Sequence, residues 1–261
     1  MASLVCRSFS DPLAYEQAIR GARASELIVS ERGVFDARLT SIDLDRVWLQ
    51  RGSENLARTM YAGFDEARRS IFFLLDRQTP PCIQSGKEFG PDDVVSFGQD
   101  SSHFQRTFGP NRWAAMSLPA GCLEEAALTI TGRDIAPTST SLWAKPSAAH
   151  LTRLRQLHNE VDQMAGSGEE AIDHPEVQRA LEQSLTIAMV SCIAEGANQD
   201  RGYGWHRHQK IMRSFKEWLE ENIDHPVYLS EICTALNVSA PTLRRCCEQY
   251  LGMSPMRYLR L

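Results

Sequence analysis

The sequence lacks the features of a membrane or secreted protein. None of its apolar runs approaches the roughly 18 residues that a membrane-spanning helix needs. The N-terminus has no basic segment followed by an apolar stretch, so a secretory signal is not expected. The seven cysteines are odd in number and irregularly spaced, which argues against a disulfide framework or a zinc site. We therefore expect a cytoplasmic protein with free thiols and no membrane partner.

Residues that support catalysis are also scarce. Residues 1–149 contain a single histidine, His103, whereas a metal centre in a small β-barrel needs several histidines from neighbouring strands. The sequence has no Gly-x-Ser-x-Gly elbow, phosphate-binding glycine loop or His-Glu-x-x-His helix. His206 and His208 precede Asp224 and His225, but no cysteine or carboxylate completes a tetrahedral site. The sequence predicts no enzyme, no metal and no cofactor.

Charge is unevenly distributed along the chain. The net charge is −5, which argues against a nonspecific polycation. Residues 205–261 hold 8 Lys and Arg against 6 Asp and Glu, a net charge of +2, and residues 1–204 carry −7. Because contact with phosphates requires only local positive charge, this distribution suits a protein with a modular DNA-binding segment.

The first ~145 residues favour β-structure. Short β-branched or aromatic runs are separated by Gly, Pro, Asp and Asn, as in antiparallel sheets. The residues of 35–40 alternate between apolar and polar, the period of a half-buried strand. We predict a small barrel or sandwich with strands within 27–29, 34–44, 47–49, 71–75, 94–97, 104–108 and 113–118.

The apolar period then changes to that of a helix. Leucines at 151, 154 and 157 begin one apolar stripe, and Gly166 ends that helix. Pro175 begins a second helix, for which Gly196 is a plausible C-terminal stop. This pair could pack on its own sheet or against a second subunit, and the sequence does not choose between them.

Three helical units follow from residue 208 to the C-terminus. Ser230 and Ser239 are predicted N-caps, Pro241 is tolerated in a first turn, and Gly252 ends the last long helix. Two short helices joined by the turn at 237–239, with Leu243 on the inner face, are what major-groove recognition requires. The pattern predicts a helix-turn-helix.

Residues 229–260 closely resemble the first helix-turn-helix of the AraC family. The turn, the capping serine, the Leu-Arg-Arg triplet at 243–245 and the Gly-Met-Ser-Pro run at 252–255 occur at matching offsets. The resemblance implies a bacterial, DNA-binding transcription regulator. It places the groove contacts on Pro241, Thr242, Arg244 and Arg245, and an aromatic usual in the family is replaced by Cys247. The N-terminal part is more loosely similar to regulators of the ethanolamine-utilisation type.

The sequence also departs from this family. Members carry two helix-turn-helix units, and this sequence ends where the helix connecting them begins. With one unit per subunit we expect weak DNA binding, because the avidity of a second linked unit is lost. The alternative function is an effector-binding and dimerisation module without useful DNA affinity.

The N-terminal domain is expected to bind a small-molecule effector. Such pockets are lined by aromatic side chains and a few polar groups. The candidate effector-binding residues are Trp48, Phe73, Phe97, His103, Arg106 and Trp113.

These inferences give an α+β protein in four segments. Residues 1–146 form a cupin-like, β-rich effector domain, and 147–197 a helical dimerisation segment. Residues 198–206 are a linker, and 207–261 an incomplete helix-turn-helix subdomain. The expected partners are a double-stranded DNA operator, an unknown small-molecule effector and a second copy of the chain. RNA polymerase is a further candidate partner.

Overall fold

A computed structural model describes residues 3–20, 22–64, 67–98, 102–133, 135, 141–166, 174–198, 203–222 and 227–260. Within these ranges the chain is α+β, with a sheet-rich N-terminal part followed by helices. No helix in the described part is long and apolar enough to span a bilayer.

The strands build two antiparallel sheets. The large sheet has eight strands in the order β1-β3-β4-β11-β6-β9-β12-β13, and the small sheet has five in the order β2-β5-β10-β7-β8. The large sheet comprises β1 (Ser3–Phe9), β3 (Ala37–Leu44), β4 (Val47–Glu54), β6 (Arg68–Leu74), β9 (Val94–Ser96), β11 (Asn111–Pro119), β12 (Leu142–Ala144) and β13 (Ala197–Asn198). The small sheet comprises β2 (Ala22–Val29), β5 (Arg58–Phe64), β7 (Cys82–Gln84), β8 (Lys87–Phe89) and β10 (Ser102–Arg106).

Eight helices surround the sheets in the described residues. They are α1 (Pro12–Ala18), α2 (Ala120–Thr131), α3 (Ala148–Gly166), α4 (Pro175–Gly196), α5 (Tyr203–Glu221), α6 (Leu229–Ala235), α7 (Ala240–Leu251) and α8 (Pro255–Tyr258). We call α5–α8 the helix-turn-helix unit.

Side-chain alternation on β4 explains how the large sheet is covered on both faces. Val47 and Leu49 point towards α3 and α4, where they join an aliphatic core. Trp48 and Gln50 point between the two sheets. Because successive side chains of a strand face opposite sides, one strand supplies two separate cores.

The helices α2, α3 and α4 cover the outer face of the large sheet. Leu154 and Leu157 on α3 are buried among the aliphatic side chains of β3, β4, β6 and β11. The helical pair therefore packs on its own sheet, one of the two arrangements that the sequence left open.

The helix-turn-helix unit covers the outer face of the small sheet. Tyr61 on β5 and Phe104 on β10 belong to the same buried cluster as Phe215, Leu243 and Tyr250 of the unit. The molecule thus has four layers: the α2–α4 helices, the large sheet, the small sheet and the helix-turn-helix unit.

Most predicted elements are confirmed. Strands β2, β3, β4, β6, β9, β10 and β11 overlap the predicted ones, and α4 begins at Pro175 and ends at Gly196 as expected. The sequence analysis missed β1, β5, β7, β8, β12, β13, α1 and α2. Within the predicted linker, residue 198 lies in β13 and α5 begins at Tyr203, while residues 199–202 lie outside the described residues.

The helix caps were predicted with one error. Ser239 is the N-cap of α7, and Gly252 ends that helix in the left-handed conformation, with φ 72°. Ser230 is not a cap, because α6 already begins at Leu229 after the N-cap Tyr228. The carboxylate of Glu231 accepts a hydrogen bond from the backbone N–H of Tyr228 at 3.2 Å, which satisfies an amide of the first turn.

Candidate nucleic-acid interface

The helix α7 is held in place through its inner face. Leu243, Cys246, Cys247, Tyr250 and Leu251 are all buried. Since they recur at helical spacing and contact α5 and α6, they anchor one side of α7 and leave the other side facing solvent.

The exposed side of α7 carries the residues predicted to contact DNA. Pro241, Arg244 and Arg245 are exposed, and Thr242 is half-buried. The Oγ of Ser239 accepts the backbone N–H of Thr242 at 3.3 Å and lies 2.8 Å from its Oγ1. The first turn of α7 is therefore rigidly capped, and two arginines extend from the next turn.

The turn between α6 and α7 is tight. Asn237 adopts a positive φ of 51°, a conformation that asparagine tolerates better than most residues. The backbone N–H groups of Asn237 and Val238 donate to the carbonyls of Thr234 and Cys233, at 3.1 and 3.0 Å. Val238 packs against the buried cluster, so the relative orientation of the two helices is fixed.

This segment matches a known family. Residues 219–260 fit the family model described as bacterial regulatory helix-turn-helix proteins, AraC family. Residues 219–260 are thus a helix-turn-helix segment of the AraC type.

The fold of the chain is similar to that of a solved structure. The AraC-like transcriptional activator CuxR matches with a TM-score of 0.52 and 13% identity, over 99% of this chain and 94% of CuxR. ToxT from Vibrio cholerae gives a TM-score of 0.33 and 11% identity, over 79% of this chain and 76% of ToxT. The first likeness supports the arrangement of the fold, and the second is too distant to support an argument.

The second half of α7 is bound to the small sheet through polar contacts. The Oγ1 of Thr59 donates to the carbonyl of Leu251 at 3.1 Å. The Nη1 of Arg106 donates to the carbonyl of Glu248 at 3.0 Å. The Nε2 of Gln249 donates to the carbonyl of Gly86 at 2.8 Å. The bond from Thr59 satisfies the carbonyl of Leu251 in the last turn, where carbonyls have no intrahelical partner, whereas the carbonyl of Glu248 also accepts the backbone N–H of Gly252 at 3.1 Å.

A glycine permits this close approach. Gly86, in the turn between β7 and β8, has a φ of 81°, and a Cβ atom there would lie 2.6 Å from the ring of Tyr250. Any larger residue would therefore be strained and would push α7 away from the sheet.

A second contact joins α5 and α8 to β2. The ammonium of Lys216 lies 2.8 Å from the carboxylate of Glu26 and 2.8 Å from the hydroxyl of Tyr258, which itself donates to Glu26. Lys216 is buried, and burial together with the Glu26 charge raises the pKa of Tyr258. The helix-turn-helix unit is thus joined to the N-terminal domain at two separate places.

A cavity of about 40 Å³ lies between the two sheets. Four of the predicted effector-binding residues, Trp48, Phe97, His103 and Trp113, line it. Burial lowers the pKa of His103 to about 3, so this imidazole is neutral at physiological pH. In the described part of the chain, no group of three or more His, Cys, Asp or Glu could hold a metal ion, and Asp224 and His225 lie outside that part.

Two predicted effector residues do not line this cavity. Phe73 lies on the opposite face of β6, where its ring meets that of His158 edge-on at 4.9 Å. Arg106 lies on the outer face of β10 and contacts α7, and burial lowers the pKa of its guanidinium. In both cases strand alternation turns the side chain away from the cavity, a consequence that follows only once the register is known.

The sequence analysis missed the polar residues of the cavity. Gln50, Arg58 and Gln105 line it, and Arg58 is 1% exposed. On β5 the cavity-lining residues Arg58, Met60 and Ala62 alternate with Thr59 and Tyr61, which face the helix-turn-helix unit. This period of two was the available signal, but β5 itself had not been predicted.

Proposed function

We propose that α7 is the recognition helix and enters the major groove of an operator with its N-terminal half. Pro241, Thr242, Arg244 and Arg245 then face the DNA. Support comes from the exposure of both arginines at the end of α7 that is not in contact with the small sheet. An arginine so placed can form a bidentate contact with guanine, and a threonine near the helix start can reach a phosphate or a thymine methyl.

A small-molecule effector bound between the sheets controls this DNA binding. The observation that carries this proposal is the alternation on β5 and β10. His103 and Gln105 of β10 face the cavity, while Phe104 and Arg106 face the helix-turn-helix unit. A ligand that moves either strand thereby alters the contacts of α7, provided that it binds the two arrangements with different affinity.

A homodimer forms through the outer surface of α3 and α4. Ile187 is 42% exposed on that surface. It lies beside a hollow of about 320 Å³ lined by His150, Arg153, Ser184, Ile187, Ala188 and Ser191. Contact with RNA polymerase and a cytoplasmic location remain predictions from the sequence.

The proposed division of labour follows the predicted segments. Residues 1–146 bind the effector, 147–197 support dimerisation and 207–261 bind DNA. Because α2–α4 and the large sheet share one continuous core, the first two segments act as a single body.

Substitution of Arg245 by alanine tests the recognition helix. An operator is first selected from random DNA with the unmodified protein, and affinity is then measured by fluorescence anisotropy. We expect Arg245→Ala to weaken binding by about 1–3 kcal/mol and to relax the preference at one base pair. Arg77→Ala removes the same charge from an exposed position that lies in neither the cavity nor the proposed dimer surface, and should leave affinity unchanged.

Unchanged affinity and unchanged base preference in Arg245→Ala would show that this residue does not read DNA. Equal weakening by Arg77→Ala would show that net charge, not a specific contact, is responsible.

A further inference from the structure

The strongest chemical signal in the cavity is a buried guanidinium with only part of its hydrogen-bonding capacity used. The Nε and Nη2 of Arg58 donate to the two carboxylate oxygens of Glu54, at 3.0 and 3.1 Å. The Nη1 of Arg58 is buried and has no hydrogen-bond partner. Burial opposes the charge of Arg58, but Glu54 outweighs it, and the pKa of the guanidinium is raised. Arg58 therefore stays charged with one edge unused.

Glu54 already accepts four hydrogen bonds, two of them from Arg58. Its Oε1 also accepts the hydroxyl of Tyr15 and the Nε1 of Trp113, both at 2.8 Å. The remaining capacity belongs to Arg58, as a pair of N–H groups on Nη1 and the second N–H of Nη2. A planar group with two oxygens fits such an edge in a bidentate manner. The Glu54–Arg58 pair can therefore still donate hydrogen bonds to a ligand, and a ligand that accepts them would complement it.

The rest of the cavity is mainly apolar. Trp48, Phe72, Phe97 and Trp113 supply aromatic walls, and Met60 and Ala115 lie between them. Ala115 is on a central strand yet remains partly exposed, as expected for a side chain beside open space. The cavity has a volume of about 40 Å³, and roughly 10–15 Å³ suffices for one water molecule. That space suits a ligand with very few non-hydrogen atoms.

We propose that the cavity binds a carboxylate of two or three carbons, whose two oxygens meet the unused edge of Arg58 and whose alkyl group lies against the aromatic walls. This proposal rests on effector binding between the sheets and names the class of effector. For a ligand of four or five non-hydrogen atoms, the dissociation constant is on the order of 10 µM at the tightest.

Acetate and propionate, compared with acetamide and propionamide, test the proposal on the full chain. The amides have nearly the same shape but no charge and only one acceptor oxygen. Binding is measured by saturation-transfer NMR and by the melting temperature, with sodium chloride matching the ionic strength. We expect the acids to bind at least tenfold more tightly than the amides.

Two variants locate the binding site. Ala115→Leu fills the cavity and should abolish carboxylate binding. Arg58→Lys keeps the charge but loses the planar edge, and should weaken binding at least tenfold. Arg69→Lys is the matched control, because Arg69 is also buried and paired, with Glu124, but does not line the cavity. If Arg58→Lys does not fold, Ala115→Leu still tests whether the carboxylate binds in the cavity.

Equal affinity for acids and amides, no binding of either up to 50 mM, or acetate binding that survives Ala115→Leu would each overturn the proposal. Operator affinity is measured on the same samples, and also with neutral small molecules. This measurement separates the carboxylate proposal from the proposed function. If an amide or another neutral compound alters DNA binding and the acids do not, effector control stands and the carboxylate assignment fails. If the acids bind in the cavity without altering DNA binding, the assignment stands and effector control by this ligand fails.

Discussion

The outer faces of the two sheets are both covered by helices, but in different ways. The large sheet presents a broad aliphatic surface to α2–α4, formed by Ile42, Leu44, Val47, Leu49, Ile71, Phe73, Val94, Ala114, Met116 and Leu118. The small sheet presents two buried aromatic residues, Tyr61 and Phe104, with the half-buried Ile28 beside them. Its contact with α7 also includes hydrogen bonds from Thr59 and Arg106 and the bond from Gln249 to Gly86.

This difference separates a permanent core from a contact that can be released. Apolar burial contributes about 25 cal/mol for each Å² removed from water, so the aliphatic face holds its helices strongly. Interfaces between domains are smaller and more polar, and relative motion is their default behaviour. We therefore expect the helix-turn-helix unit to separate from the sandwich more readily than α2–α4 do.

Truncation of one aromatic residue on each face gives the sharpest test of this comparison. Phe73→Ala should lower the free energy of unfolding by about 3–5 kcal/mol, because it leaves a cavity in the shared core. Phe104→Ala should mainly release the helix-turn-helix unit. Hydrogen exchange would show faster exchange in α7 for Phe104→Ala, with β6 and β11 still protected. Equal global destabilisation by both variants would contradict the comparison.

Gly86→Ala sharpens the same comparison without removing an apolar group. The positive φ and the short approach to Tyr250 together should cost about 2–4 kcal/mol of docking energy. Hydrogen exchange in α7 and α8 is the measurement. Gly63→Ala is the control, since an added Cβ on Gly63 meets no atom within 4 Å. Identical exchange in the two variants would show that α7 does not depend on this approach.

Acidification should loosen the helix layer on the large sheet. His158 is fully buried beside Phe73, neither ring nitrogen has a hydrogen-bond partner, and burial lowers its pKa to about 3. A histidine in the unfolded chain has a pKa of about 6.5, so on acidification the unfolded state binds a proton before the folded state does. Stability is thus fully present above that pH and is lost on acidification towards pH 3, by about 1.4 kcal/mol per pH unit.

Replacement by leucine, His158→Leu, measures this contribution. It should stabilise the protein by about 1–3 kcal/mol at pH 7, because two unsatisfied polar atoms leave the core. It should also reduce the slope of the free energy of unfolding against pH between pH 6 and 4. The slope that remains should include the contribution of His103. Urea denaturation at several pH values is the check, and an unchanged slope would assign the acid sensitivity to other groups.

The smallest expected effect is confined to the helix-turn-helix unit. Ser239→Ala removes the side-chain cap of α7 and should cost about 1 kcal/mol. The hydrogen bonds of the Ser239 side chain go to Thr242 of the same helix. Hydrogen exchange should therefore increase only in the first turn of α7. Faster exchange in β5 or β10 would mean that the unit and the small sheet unfold together.

Local chemistry made the helix-turn-helix unit predictable. The cap at Ser239, the stop at Gly252 and the inner residue Leu243 follow from patterns within a few residues of each other, and each is found as expected. The same holds for the ends of α4 at Pro175 and Gly196. Such signals depend on backbone groups at helix ends and need no knowledge of the rest of the fold.

The cavity was predictable only in part, because its members are distant in sequence. Trp48 and Trp113 were recognised as aromatic residues, but the role of Arg58 depends on its pairing with Glu54 inside the sandwich. Arg106 was assigned to the effector although it contacts α7, since a strand's outer partner cannot be read from its own residues. Helix α2 was missed because it directly continues from β11 at Pro119 without a capping side chain.

The strict alternation on β5 has an evolutionary consequence. One inserted residue before Met60 would turn the cavity-lining positions towards α7 and the docking positions inwards, because the two faces of a strand are read in alternate residues. Single substitutions on one face leave the other face unchanged, whereas a one-residue insertion that no β-bulge absorbs exchanges the two faces. Changes of ligand and changes of docking are therefore separable by substitution and inseparable by insertion or deletion.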